Sequence, residues 1–186
     1  AGCKKEHAQT GQAELAPAPK LVRGQQTEDR PVIVAFGDSL SAGYGVEAGL
    51  SYPDFLQKEL DAAGYRYLVR NEGISGDTTS GGLTRMAAVI ESKPAIVILE
   101  LGANDGLRGI PVAKTRENLD QMTAAFVKSG AKVLLAGITL PRNYGAEYIR
   151  EFDRIYPELE KKYGVARLPF LLDKVALNPK LMQGDA

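Results

Sequence analysis

From Pro31 onward, apolar β-rich runs alternate with helix-like patterns, and this alternation constrains the fold more than any other feature of the sequence. It is the signature of βαβ units wound into a mostly parallel sheet. Strands are expected at Val32 to Phe36, Tyr67 to Arg70, Ala95 to Leu101, Lys132 to Ile138 and Val165 to Leu168. Ile96-Val97-Ile98-Leu99 and Val133-Leu134-Leu135-Ala136 are apolar at every position, as strands covered on both faces are, and belong at the sheet centre. The expected fold class is α/β: a flavodoxin-like, three-layer αβα domain with a five-stranded, mostly parallel, doubly wound sheet and right-handed crossovers.

The intervening helices carry their own end signals. Ser51 precedes Tyr52-Pro53, an apolar stripe of Phe55, Leu56 and Leu60 follows, and Gly64 closes the run, matching the preferences for an N-cap, an early Pro and a terminal Gly. Further helices are expected over about 82–92, over 113–129 with Gly130 at its end, and over 146–163 with Gly164 at its end. Pro157 lies inside the last of these and is expected to kink or split it.

Residues 1–30 mix Gln, Glu, Ala, Lys and Pro with little apolar periodicity, a composition that does not bury enough surface to offset its ordering entropy. This stretch is expected to be a flexible tether, with residues 31–186 forming the domain. The chain opens Ala1-Gly2-Cys3, which resembles the end of a bacterial lipobox, so Cys3 is the expected lipidation site and the stretch a lipoprotein spacer. A chance cysteine in a tail is the alternative. Cys3 is the single cysteine, which excludes an internal disulfide and a cysteine-built metal site. Lys+Arg and Asp+Glu both number 23, leaving no global field to draw nucleic acid, so no nucleic-acid partner is expected. No uninterrupted apolar run reaches the ~18 residues of a spanning helix.

In open α/β sheets, ligands bind beyond the carboxyl ends of the strands. Three polar, glycine-bearing segments fall on that rim: Gly37-Asp38-Ser39 after the first strand, Asn71 to Thr78 after the second, and Gly102-Ala103-Asn104-Asp105 after the third. Acyl transfer needs a nucleophile and donors aimed at the developing oxyanion. Ser39 could supply the first. Its own N–H, a glycine N–H such as that of Gly76, and a side-chain amide such as that of Asn104 could supply the second. Each has a plainer reading: Ser39 as a helix or turn cap, Gly76 as a positive-φ turn residue, Asn104 as a cap. Asp38, adjacent to Ser39, is expected to fix the turn. Asp105 is expected to bond loop backbone. Glu100, at the end of a buried strand, is expected in an ion pair with Arg70 and without a catalytic role. The one histidine, His7, lies in the polar tail and is read as solvated and functionless.

Gly37-Asp38-Ser39-Leu40, the Gly76 of "ISGDT" and "GAND" at 102–105 occur in order, each at a strand terminus, within longer similar stretches "NEGISGDT" and "LELGANDGLRG". On these blocks residues 31–186 resemble the SGNH/GDSL hydrolases, and most closely the bacterial thioesterase I, lysophospholipase L1 and arylesterase group. The resemblance implies that Ser39 is the nucleophile and that Ser39 N–H, Gly76 N–H and the Asn104 amide form an oxyanion hole. It also implies a closing D-x-x-H block, in which Asp185 takes the place of the acid. The histidine of that register would fall two residues past Ala186, and a terminal helix would follow it. The expectation is therefore a serine hydrolase whose sequence is truncated before the base and the last helix, with natural loss of the base and of activity as the alternative.

The implied activity is hydrolysis of short or medium acyl esters, thioesters or lysophospholipids through an acyl-enzyme, with no metal and no cofactor. The expected partner is a small-molecule acyl ester or lipid. The protein is expected to be monomeric and periplasmic or secreted, with a lipid anchor through Cys3. By the same resemblance the loop 139–145 borders the acyl pocket, with Leu107, Ile110, Leu140, Pro141 and Tyr144 as an apolar wall; ordinary loop packing is the alternative. Other readings are a carbohydrate acetylesterase, a degenerate relative without its base, and a non-enzymatic flavodoxin-like module holding a phosphate on backbone amides. Against the last, neither a Ser/Thr-rich phosphate loop nor G-x-G-x-x-G follows the first strand.

Overall fold

The computed structural model describes residues 30–176, 178, 180 and 181. Five parallel strands are hydrogen-bonded in the order β2-β1-β3-β4-β5. They are β1 (Val32–Gly37), β2 (Leu68–Gly73), β3 (Ile96–Glu100), β4 (Lys132–Ala136) and β5 (Ala166–Leu168). Between them run α1 (Ser39–Ala42), α2 (Tyr52–Ala62), α3 (Thr79–Glu91), α4 (Ala103–Leu107), α5 (Val112–Lys128), α6 (Ala146–Asp153) and α7 (Ile155–Tyr163). This is the flavodoxin-like order expected from the sequence, and its direction reverses between β1 and β3.

The period-2 alternation of the strands sorts the core into two layers. Val34 and Phe36 of β1, Val97 and Leu99 of β3, and Val133 and Leu135 of β4 face α3, α5 and α7 in one large cluster with Leu119, Met122, Phe126, Ile155 and Tyr156. Phe36 and Phe126 meet edge to face, 5.6 Å between centroids at 77°, a geometry that adds about 0.5–1.5 kcal/mol to area burial. Ile33, Ile98 and Ala136 face the opposite way, toward Tyr52, Leu56 and Leu60 of α2 and toward Leu171.

The helix ends follow their signals with two informative shifts. Ser51 heads α2 in a capping box with Asp54, as its position before Tyr52-Pro53 suggests. Helix α3 starts at Thr79, three residues before the expected start, because the Thr78 hydroxyl accepts from Gly81 N–H and caps a turn that contains two glycines. The second of these is needed for packing: a Cβ on Gly82 would lie 2.4 Å from Leu101 Cδ1. The expected long helix over 146–163 is split at Arg154 into α6 and α7. Pro157 has no N–H to offer the carbonyl of Asp153, so the break falls one turn before it.

Candidate active site

Ser39 is the first residue of α1 and directly follows the turn out of β1. The turn is built by Asp38. Its carboxylate accepts from Leu40 N–H at 3.1 Å, and its carbonyl accepts from Ala42 N–H at 2.9 Å. Asp38 is only 1% exposed, and it fixes the turn as its sequence position suggests. Burial raises its carboxyl above the ordinary range, against the hydrogen bonds from Leu40 N–H and the side chains of Glu100 and Ser39, which lower it.

The loop after β2 is pinned to β1 by Ile74 N–H donating to Gly37 O at 3.0 Å, and it turns through Asp77 N–H to Ile74 O at 3.0 Å. That turn requires φ of +79° at Gly76, a left-handed conformation available to glycine without strain. Arg108 Nη2 donates to Gly76 O at 2.9 Å. Among the described residues, the N–H groups of Ser39 and Gly76 donate to no backbone carbonyl. Both are available to a ligand.

Asn104, in the short helix α4 after β3, ties the three loops together. Its amide nitrogen donates to Asp77 O at 2.8 Å and to Asp38 Oδ2 at 3.1 Å. Both partners are pure acceptors, which fixes the orientation of the amide. With both hydrogens engaged, Asn104 donates to an oxyanion only by releasing one, and the longer bond to Asp38 is the weaker of the two. Asp105 next to it is fully buried and accepts from Thr79 N–H at 2.8 Å and Thr79 Oγ1 at 2.5 Å, joining α4 to the start of α3. This is the loop-backbone bond expected of it.

The ion pair expected between Glu100 and Arg70 does not form. Glu100 on β3 is registered with Gly37 of β1, whereas Arg70 lies one strand further on, paired with Val34. Glu100 is instead fully buried beneath the Ser39 turn, where its Oε2 accepts from Asp38 N–H at 3.2 Å and from Ser41 Oγ at 2.8 Å. Ser41 Oγ also meets Tyr52 OH of α2 at 3.1 Å. Loss of hydration, then the charge of Asp38, push the Glu100 carboxyl up to about 8. Gly37 makes room for this arrangement: a Cβ there would lie 2.1 Å from Ser41 Oγ and 2.3 Å from Glu100 Oε2.

Two arginines complete the rim and were not singled out from the sequence. Arg85 of α3 forms an ion pair with Asp77 at 2.7 Å and donates to Glu72 O and Gly37 O at 2.7 and 2.9 Å, while its guanidinium lies 3.9 Å from the Phe36 ring centroid. Arg108 holds the carbonyl of Gly76. No motif marks Arg85, and Arg108 lies within the stretch "LELGANDGLRG" at a position given no role there. The signal for Glu100 was present, since a carboxylate ending an unbroken apolar strand must be buried and must find partners.

On the far side of the rim, Leu140 is buried and packs on Gly106, where a Cβ would come within 2.3 Å of Leu140 Cδ2. Tyr144, in the 3₁₀ turn Arg142–Tyr144, donates through its hydroxyl to Leu107 O at 3.1 Å. Ile110 O accepts from Tyr148 OH at 2.6 Å; Leu107 is 47% exposed and Pro141 is exposed. Asp185, Cys3 and His7 lie outside the described residues. Among the described residues, no group of three or more His, Cys, Asp or Glu side chains is placed to hold a metal ion, and no helix is long and apolar enough to cross a membrane.

A serine on a strand-to-helix turn at the β1/β3 switch point, beside two free N–H groups and an asparagine amide, has the makings of a serine-dependent acyl hydrolase site on a doubly wound sheet. The chain belongs to the GDSL-like Lipase/Acylhydrolase family, which matches residues 35–185. It is 44% identical over 166 residues to the esterase TesA of Pseudomonas aeruginosa, covering 89% of this chain and 83% of that protein. It is 40% identical over 154 residues to the thioesterase 1/protease 1/lysophospholipase L1 of Escherichia coli K12, covering 82% of this chain and 73% of that protein. The crystal structure of AlinE4, an SGNH-hydrolase family esterase, superposes with a TM-score of 0.82 at 45% identity and covers 85% of both chains.

Proposed function

We propose that this protein hydrolyses carboxylic esters and thioesters of short or medium acyl chains, lysophospholipids among them, with Ser39 as nucleophile. One observation carries the reading: Ser39, Gly76 and Asn104, from the ends of three strands, are joined by the Asn104 bonds to Asp38 and Asp77. Ser39 Oγ attacks the substrate carbonyl while a base takes its proton, and the carbonyl oxygen becomes an oxyanion. That oxyanion accepts from Ser39 N–H, Gly76 N–H and Asn104 Nδ2. The proton passes to the leaving alcohol or thiol, and water then attacks the acyl-enzyme to release the acid and restore Ser39. Asp185 is the acid that orients the base in this reading.

Leu107, Ile110, Leu140, Pro141 and Tyr144 border the acyl chain in this reading. The segment 1–30 acts as a tether that Cys3 anchors by lipidation in the periplasm, and 31–186 acts as a monomeric hydrolase domain. The balanced charge of 23 cations and 23 anions suits a small or lipid substrate.

A panel of nitrophenyl esters of increasing chain length, an acyl thioester, a lysophospholipid and acetylated xylan, offered to the full-length gene product and to S39A, tests the proposal. Turnover of the short and medium esters that vanishes in S39A is the expected result. Turnover confined to acetylated xylan would make it a carbohydrate acetylesterase, and equal activity in S39A would overturn the role of Ser39.

A further inference from the structure

The carboxyl groups of Asp38 and Glu100 lie directly beneath the nucleophile turn, 1% and 0% exposed, with Asp38 N–H donating to Glu100 Oε2 at 3.2 Å and each carboxyl acting on the other's proton affinity. Two carboxylates so close and so dry do not both stay ionised. The hydrogen bonds say where a shared proton sits. Glu100 Oε2 is occupied by two donors, Asp38 N–H and Ser41 Oγ. Glu100 Oε1 is buried and has no hydrogen-bond partner, a costly state for a charged oxygen and a milder one for a carboxyl that carries a proton. Asp38, for its part, accepts from Leu40 N–H and from the Asn104 amide, so it is the ionised member.

We propose that Asp38 and Glu100 hold a single proton between them, on the Glu100 carboxyl, and act as one positioning element of the oxyanion hole, with the Asp38 carboxylate holding the Asn104 amide. The inference rests on the hydrolase reading of the site. Its consequence is a tuned release. In the resting site an Asn104 hydrogen is held by Asp38, and the oxyanion must compete for it. A carboxylate already satisfied by Glu100 and Leu40 yields that hydrogen more readily than an unshared charge would. If the shared proton is lost, a second negative charge appears behind the oxyanion and Asp38 grips the amide harder.

The surroundings favour retention of one proton. The pair is faced by Tyr52 from α2 and by Tyr156 from α7, both with hydroxyls pushed upward chiefly by burial and so neutral. The charge of Asp77 also bears on Asp38, and Asp77 is paired with Arg85 at 2.7 Å. Asp105 lies close enough to act on Tyr156 and is saturated by Thr79. No cation contacts the pair among the hydrogen bonds that reach Asp38 and Glu100.

The test compares wild type, E100Q and D38N as full-length proteins by two readouts: kcat and KM for a short nitrophenyl ester across pH, and ¹³C NMR of labelled side-chain carboxyls. Glutamine keeps an acceptor for Ser41 and Asp38 N–H and carries amide hydrogens where the acid carries its proton. Wild type is therefore expected to show an alkaline fall in kcat, and E100Q to lose it. D38N is expected to lower kcat by about 10²-fold, the scale of losing one oxyanion donor, with KM little changed. In the NMR titration one Glu signal is expected to titrate well above the other glutamates, to be absent in E100Q, and to move down in D38N while burial still holds it above the ordinary range. An alkaline limb that persists in E100Q, a D38N defect confined to KM, or a Glu100 signal in the ordinary range would each overturn the proposal. If wild type hydrolyses no ester at all, the hydrolase reading fails separately, and the NMR titration still decides whether the proton is shared.

Discussion

The two halves of the rim are built differently. Around β1, β2 and β3, the loops are bonded to one another through buried groups: Asn104 to Asp38 and Asp77, Arg85 to Gly37 and Glu72, Asp105 to Thr79, Glu100 to Asp38 and Ser41. Past β4, the segment 139–145 is held by Leu140 packed on Gly106 and by one hydroxyl, Tyr144 to Leu107 O, while Pro141, Arg142 and Asn143 are exposed. β5 beside it is only three residues long. A reacting constellation tolerates little displacement, so groups there must be over-determined by the structure behind them. A surface that only accommodates an acyl chain needs apolar area and room to adjust. In the proposed function, chemistry falls to the first half and substrate preference to the second.

Substitutions on the bonded half are expected to have the largest effects. Removing the proposed nucleophile in S39A should lower kcat by about 10⁶-fold, the loss seen when a serine protease loses its serine, without moving the thermal midpoint. N104A should follow with a loss of about 10²–10³-fold in kcat at unchanged KM, as measured for a single oxyanion donor. If N104A affected KM alone, the bonded half would be scaffolding for binding and the contrast would fail. G37A, which drives a methyl group against Ser41 and Glu100, should destabilise the fold by about 1–3 kcal/mol in chemical denaturation.

A pH series sharpens the same contrast. Glu100 is held protonated in the fold well above its ordinary range, so the native state binds more protons than the unfolded state between about 4.5 and about 8. Its contribution to stability is fully present below that window and is lost as pH rises through it. The denaturation midpoint should therefore fall from acid toward pH 8 more steeply in wild type than in E100Q. The smallest effect belongs to the open half: Y144F removes one partly exposed hydrogen bond, worth about 0.5–1.5 kcal/mol, and should shift the preferred acyl chain length more than it changes kcat on a short ester. A kcat loss in Y144F as large as that of N104A would dissolve the distinction between the halves.

The same division governs what the sequence revealed. Strand order, the central positions of β3 and β4, and the positions of Ser39, Gly76 and Asn104 at strand ends were legible because hydrophobic period and glycine-bearing blocks are local signals. The pairing of Glu100 was not. Its partners Asp38 and Ser41 are 62 and 59 residues away, and only the register of β1 against β3 puts Gly37 beside it and leaves Arg70 a strand too far. Arg85, the single cation of α3, was invisible for the same reason: its partners Asp77, Glu72 and Gly37 are brought to it only by the fold. The early start of α3 was hidden because glycines 81 and 82 weaken helix propensity, and the Thr78 cap and the packing of Gly82 on Leu101 override that weakness.

The central claim is that Ser39 is an activated nucleophile set among donors for an oxyanion. Treatment of the full-length gene product with an aryl phosphonate, followed by intact-mass and peptide mapping, tests it most directly. The account predicts one stoichiometric adduct on the peptide carrying Gly37-Asp38-Ser39, absent in S39A and slowed in N104A. An adduct on another residue, or labelling undiminished in S39A, would contradict it.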